Sequence, residues 1–294
     1  MTERRRILRL LGLGAAALLL PRTSSTGPTV SRWQGVALGA PARIELHGID
    51  LDRARRAIEA SLEELARLEA VFSLFDPESA LSRLNRDGVL RAPPLELVEV
   101  LGFARTLAIL SEGAFDPTIQ PLWRAVAHGA TRQERVAARR RVDWRKLEVS
   151  PGAVALLRRG MAVTLDGIAQ GYLTDRIAGL LRAHGVERVL VDLGELRALG
   201  PHPEGRPWRI GRHGLPAVEL ADGALATSAV VVDGRPRILD PRTGEPPADR
   251  APVTVLAPEA LSADGLSTAL AVVGRGEAAG LLRAFPGARM LAAA

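Results

Sequence analysis

Asp264 and Thr268 stand four residues apart in SADGLSTAL, so on a helix they share one face. A carboxylate and a hydroxyl so placed, joined by a carbonyl from a glycine turn, suit a hard cation such as Mg2+. That ion takes few protein oxygens and leaves the rest of its shell to water and phosphate. The competing role is helix capping by Ser262 or Asp264. A second stretch, TLDGIAQGY over 164–172, sets two glycines four residues apart between an apolar run and an amphipathic one. Free N–H groups at a strand-to-helix junction can cradle phosphate where glycine lets the backbone approach; the same spacing also serves plain packing. GAFDPTIQPLW and ILDPRTGEPP each carry Asp-Pro near glycine and read as turns, and the second exposes an arginine and a threonine that can touch an anion.

Other chemistries are excluded. The chain has no cysteine, hence no disulfide, thiolate metal site or catalytic thiol. Its one lysine, Lys146, sits in WRKLE and follows no glycine, which removes a nucleoside-triphosphate P-loop. The histidines at 47, 128, 184, 202 and 213 are dispersed, and no G-x-S-x-G occurs, so neither a histidine metal site nor a hydrolase triad is indicated.

The elements that must position these residues follow from periodicity. WQGVALGAPARIELHG reads as a strand or hairpin arm, and Ile58, Leu62, Leu65 and Leu68 predict a helix over about 50–70. A second helix is predicted in LELVEVLGFARTLAILSEG, with FSLFDPESALSRLNRDG between them as a loop holding a short helix. From about Leu147 the pattern becomes short β runs, interrupted by helices over 167–184 and 262–273. This order predicts a single α+β domain with a mixed sheet, N-terminal helices, and helices inserted between strands.

At 294 residues, 47% hydrophobic and 24% charged, the chain is globular in composition. MTERRRILRLLGLGAAALLL places arginines before an uncharged run from Leu10 to Leu20, the pattern of a twin-arginine export signal over 1–25. The remaining domain, 26–294, is then expected outside the cytoplasmic membrane, by cleavage or with the signal kept as a membrane tether. Those first 25 residues carry five arginines and one glutamate, so a total of +6 falls to about +2 beyond them. With the remaining arginines scattered among acids and only 3% aromatic residues, nucleic-acid binding is not indicated.

Taken in order, FSLFDPESALSRLN, GAFDPTIQPLW, LDGIAQGYLTDRIAGLL with VLVDLGE, ATS, ILDPRTGEPP and SADGLSTAL resemble the FAD:protein FMN transferases, the ApbE family, from about Trp33 to the C-terminus. The resemblance implies a Mg2+-dependent enzyme that splits FAD, moves FMN onto a threonine or serine of an acceptor redox protein, and releases AMP. It implies flavin or FAD contacts at Leu38, Phe75, Ala114, Phe115, Asp116, Thr164, Gln170 and Arg237. It also implies metal binding by Asp264, Thr268 and the Gly167 carbonyl, and catalytic roles for Arg237 and Asp240 on the turn before Gly244. The chain departs from the family at several points. Arg237 stands where the family usually has histidine, Thr164 where aspartate is common, Gln170 where lysine or glutamate is frequent, and Glu195 where the second of two glycines is usual. These departures leave two alternatives open: a flavin-binding maturation partner impaired in catalysis, or an FAD pyrophosphatase that uses water in place of threonine.

Overall fold

The computed structural model describes residues 30–212, 215–249 and 251–291, so the expected export signal lies outside the described residues. The first element is a hairpin of β1 (Val30–Ala37) and β2 (Ala40–His47). Its turn, Leu38–Gly39, has φ of 47° and 78°, the positive values that a two-residue hairpin turn needs. Helix α1 (Leu51–Phe72) follows, started by Asp50, whose carboxylate accepts the Arg53 N–H at 2.9 Å. Next come α2 (Ala80–Asp87), ended by Gly88 in the left-handed region, and α3 (Leu95–Leu110). Two helices not anticipated from periodicity, α4 (Gln120–Ala127) and α5 (Arg132–Arg139), precede the β half, and Thr131 and Glu134 form a reciprocal capping box at the start of α5. Strands β3 (Val89–Arg91), β4 (Leu147–Val149) and β5 (Ala153–Leu156) form a small sheet in the order β3-β5-β4.

The second half supplies α6 (Ala169–Ala183), β6 (Arg188–Asp192), β7 (Leu196–Leu199), β8 (Trp208–Arg212), β9 (Leu215–Leu220) and β10 (Gly223–Ser228). A two-residue ladder of β11 (Val231–Val232) and β12 (Arg235–Pro236) is followed by β13 (Val253–Ala257), α7 (Ala260–Val273), α8 (Ala278–Leu282) and β14 (Arg289–Leu291). The main sheet has seven strands in the order β1-β2-β6-β7-β10-β13-β14. The α+β single-domain expectation holds, but every pairing in this sheet is antiparallel instead of mixed. Tight turns join β1 to β2 and β6 to β7, and the path from β13 to β14 carries two helices in place of the one crossover helix of a parallel unit. Among the described residues, parallel character is confined to an isolated bridge, Ile119 with Ala162.

One face of the sheet buries Ile44, Leu46, Val189 and Val191 against Leu173 and Ile177 of α6 and Leu266 and Leu270 of α7. The opposite face packs Leu190, Leu225 and Leu256 under Trp208 and Ile210 of the β8–β9 hairpin. Burial on both faces explains why ERVLVD reads as a continuous apolar run. Helices α6 and α7 touch closely: a methyl group on Gly171 would stand 2.4 Å from the Ala260 carbonyl oxygen. Asp175 of α6 caps α7, accepting the N–H groups of Ala260 and Leu261 at 2.9 and 2.8 Å. Among the described residues no helix is long and apolar enough to cross a membrane.

At the hairpin, buried Glu45 accepts Arg32 Nε at 2.9 Å and lies 2.6 Å from His47 Nε2. The hydrogen bond with His47, opposed by burial and helped by Arg32, pulls its carboxyl from 4.5 to about 2. Its stabilisation is therefore fully present above pH 4.5 and is lost as pH falls through about 2. Hydrogen bonds to charged groups contribute about 1.5–3 kcal/mol each, less on the half-exposed Arg32 side. Glu45→Gln is expected to lose about 1–3 kcal/mol at pH 7. Urea melts at pH 7 and pH 2 check this, and the gap to the wild type should close at the lower pH.

Candidate active site

A cavity of about 300 Å3 opens where the C-terminal end of β10, the start of α6 and the first turns of α7 meet. The segment leading into α6 is not a full strand. Beyond the Ala162 bridge it is held extended by Asn85, whose side-chain amide donates to the Val163 carbonyl at 2.8 Å and accepts its N–H at 2.6 Å. Ile168 occupies the cap position of α6 and supplies no side-chain cap. That role passes to α7: Asp264 Oδ2 accepts the Gly171 N–H at 3.0 Å, placing a carboxylate at the positive end of α6. Asp264 is 3% exposed. Burial pushes its carboxyl up to about 7, the Gly171 hydrogen bond opposes this, and the charge of Asp166 adds to it.

One turn on, Thr268 Oγ1 lies 3.1 Å from Ser228 Oγ, which is 2.7 Å from Ser267 Oγ. Ser267 in turn donates to the Asp264 carbonyl at 2.9 Å, so one hydroxyl cluster fixes the whole turn. Gly167 faces this pair, and a methyl group there would sit 3.0 Å from Thr268 Oγ1 and 3.3 Å from the Phe115 ring. The three residues expected to hold a cation thus border one cavity. The donors are a carboxylate, a hydroxyl and a carbonyl, the hard oxygen set that fits Mg2+. Asp264 forms no ion pair with arginine or lysine among the described residues.

The facing wall is the Ala114–Phe115–Asp116 loop after α3. Asp116 accepts from Thr118 N at 2.8 Å, Thr118 Oγ1 at 2.7 Å and Trp144 N at 3.1 Å, and burial still raises its carboxyl to about 6. Thr164 and Gln170 line the cavity too, Gln170 packed against Gly194 so closely that a methyl group there would stand 2.4 Å from Nε2. Arg237 forms part of the rim, its carbonyl accepting from Trp123 Nε1 at 3.2 Å.

Three other expected residues lie elsewhere. Phe75 is 80% exposed on the turn after α1, where Ser73 Oγ accepts the Phe75 and Asp76 N–H groups and turns the ring outward. Leu38 sits on the β1–β2 turn, its N–H bound by Glu69 Oε1 at 2.7 Å, and does not line the cavity. Asp240, expected to be catalytic, is instead gripped by Arg242 through Nε and one terminal nitrogen, both at 2.9 Å, and shapes the turn behind Leu239 and Pro241.

Two acids enter the site unannounced. Asp166 is solvent-exposed yet ringed by cavity wall, which raises its carboxyl against the pull of Thr164 and Arg237. Glu195, 8% exposed, accepts the Thr227 N–H, and burial and Asp264 push it well above the carboxylate range. An acid inside the apolar run VLVDLGEL was the signal available for Glu195; Asp166 looks like any turn residue.

The profile of the ApbE family matches residues 38–292. The chain belongs to the ApbE family. It is 28% identical over 314 residues to the FAD:protein FMN transferase of Salmonella typhimurium, covering 94% of this chain and 89% of that protein. It is 31% identical over 297 residues to the Treponema pallidum protein of the same name, covering 86% and 81%. The solved flavin transferase ApbE from Vibrio cholerae superposes with a TM-score of 0.80 at 26% identity over 90% of this chain and 93% of its own. The ApbE protein of Thermotoga maritima gives 0.77 at 28% over 90% and 94%.

Asp264 and Thr268, expected to bind the metal, can be tested by substitution. Asp264→Asn keeps an acceptor for Gly171 N–H but removes a buried charge. Scanning calorimetry should show a metal-free melting point equal to or above that of the wild type, and no upward shift on adding Mg2+ where the wild type is expected to show one.

Proposed function

We propose that this ApbE-family chain splits FAD, transfers FMN to a threonine or serine hydroxyl of an acceptor redox protein, and releases AMP, with Mg2+ held by Asp264, Thr268 and the Gly167 carbonyl. The observation that carries this reading is the meeting of those three residues in a cavity lined by four carboxyl side chains and one arginine. Burial holds these carboxyls toward their neutral form, so ionising Asp264 beside a pyrophosphate requires added positive charge. The names of the relatives, FAD:protein FMN transferases, support the same substrate.

When bound, Mg2+ would neutralise charge on the pyrophosphate oxygens. Gly171 N–H orients Asp264, and Ser228 orients the Thr268 hydroxyl. Ala114, Phe115, Asp116, Thr164 and Gln170 border the dinucleotide and exclude water from one side. Arg237 at the rim supplies a permanently charged donor for phosphate and cannot take the proton of the attacking hydroxyl. Catalysis then rests on positioning and charge neutralisation. The basic-then-apolar start of the chain supports an acceptor outside the cytoplasmic membrane, where a signal left uncut would tether the enzyme.

Arg237 in place of the family histidine favours one second reading, flavin binding without transfer. Incubation with FAD, Mg2+ and an acceptor domain is expected to give protein-bound flavin fluorescence that survives denaturation, together with AMP. Arg237→Ala should lower kcat/KM by about 100-fold. Flavin binding with no transfer, restored by Arg237→His, would establish the second reading. AMP release independent of acceptor would mean hydrolysis of FAD.

A further inference from the structure

Beyond the cavity, the charge of the domain is concentrated on one surface. Residues 124–146 hold seven arginines and Lys146 against Glu134 and Asp143, a net of +6. The domain from residue 26 totals about +2, so everything else in it is net acidic. These residues follow one another along α4, α5 and the turn to Lys146, and the fold adds Arg158 and Arg159 from beyond the end of β5. Arg158 donates to the Arg140 carbonyl at 2.7 Å, and Arg141 packs on Gly160. Arg132, Arg139, Arg140, Arg141 and Arg159 are exposed, and among the described residues none has an ion-pair partner. Two apolar side chains, Val136 at 49% and Leu157 at 53% exposure, stand among them.

This surface adjoins the cavity mouth. Arg139 donates to the Arg242 carbonyl, one residue beyond Pro241 of the cavity wall, and α4 carries Trp123 from that wall toward α5. A protein that must present a hydroxyl inside the cavity has to cover this rim. Unpaired arginines around apolar anchors match the makeup of protein interfaces, and their sign selects the partner.

We propose that α5, the turn to Lys146 and the Arg158–Arg159 corner form the docking surface for an acidic face of the acceptor protein. This rests on the transferase reading, because the partner placed here is the one that receives FMN. The charge concentration and its position beside the mouth favour a protein partner over an anionic bilayer.

The test uses two fluorescein-labelled synthetic peptides, each with a central threonine, one flanked by aspartate and glutamate and the other by asparagine and glutamine. Binding to the full chain is read by anisotropy, which needs no chemistry, and FMN transfer is read separately. The variant reverses Arg132, Arg140 and Arg159 together (Arg132→Glu, Arg140→Glu, Arg159→Glu), all outside the cavity. FAD affinity should be unchanged. The acidic peptide should bind the wild type at least tenfold more tightly than the neutral one, and lose that advantage in the variant and in 0.5 M salt, about where screening shortens to a few ångströms. Transfer to the acidic peptide should show a raised KM at similar kcat. Equal binding of both peptides to the wild type, or an undiminished preference in the variant, would overturn the docking surface. So would charge-dependent binding to phosphatidylglycerol vesicles with no peptide preference, which would assign the patch to a membrane. Charge-dependent peptide binding without any transfer would support the surface and count against the transferase reading alone.

Discussion

The hydrogen bond from the Gly171 N–H to Asp264 Oδ2 is the constraint on which the site depends. It joins the uncapped start of one helix to a carboxylate on another, so the geometry of the α6–α7 crossing and the geometry of the proposed cation site are one quantity. Glycine at 171 permits the approach, and Asp175, reaching back to cap α7, fixes it from the other side. With the two helices locked in this way, the Gly167 turn faces Thr268 without further adjustment.

The same crossing creates the electrostatic character of the site. Asp116, Asp166, Glu195 and Asp264 line one cavity, and desolvation raises each of their carboxyls. A protein holds several poorly hydrated acids together at a cost in stability, and a divalent cation offsets that cost directly. Outside, the sign reverses: Arg237 stands at the rim and the arginines of α5 lie beyond it. Acid within and base around the mouth form a field suited to a substrate carried by a cation and to a partner of opposite charge.

Much of this was legible in the sequence because it is local. The i, i+4 spacing of Asp264 and Thr268, the glycines at 167 and 171, and the long amphipathic pattern of α1 each report one element. Helix α5 carried its own signal, the Thr131–Glu134 capping box, but its charged sequence lacks an apolar stripe and escapes a search by periodicity. Antiparallel pairing between strands far apart in the chain leaves no local mark. Phe75 and Asp240 show the other limit: a turn decides whether a side chain faces the cavity, and here it leaves the Phe75 ring exposed and engages the Asp240 carboxylate with Arg242. Glu195 is visible as an acid in an apolar run, yet only the fold brings it beside Asp264.

The most direct measurement is anomalous scattering from a crystal of the full chain grown with Mn2+ as a stand-in for Mg2+ and with FAD. The account expects one strong peak about 2.0–2.3 Å from an Asp264 oxygen, Thr268 Oγ1 and the Gly167 carbonyl, with the pyrophosphate on its open side. A peak away from those three oxygens, or FAD bound in the cavity with no metal between it and Asp264, would contradict it.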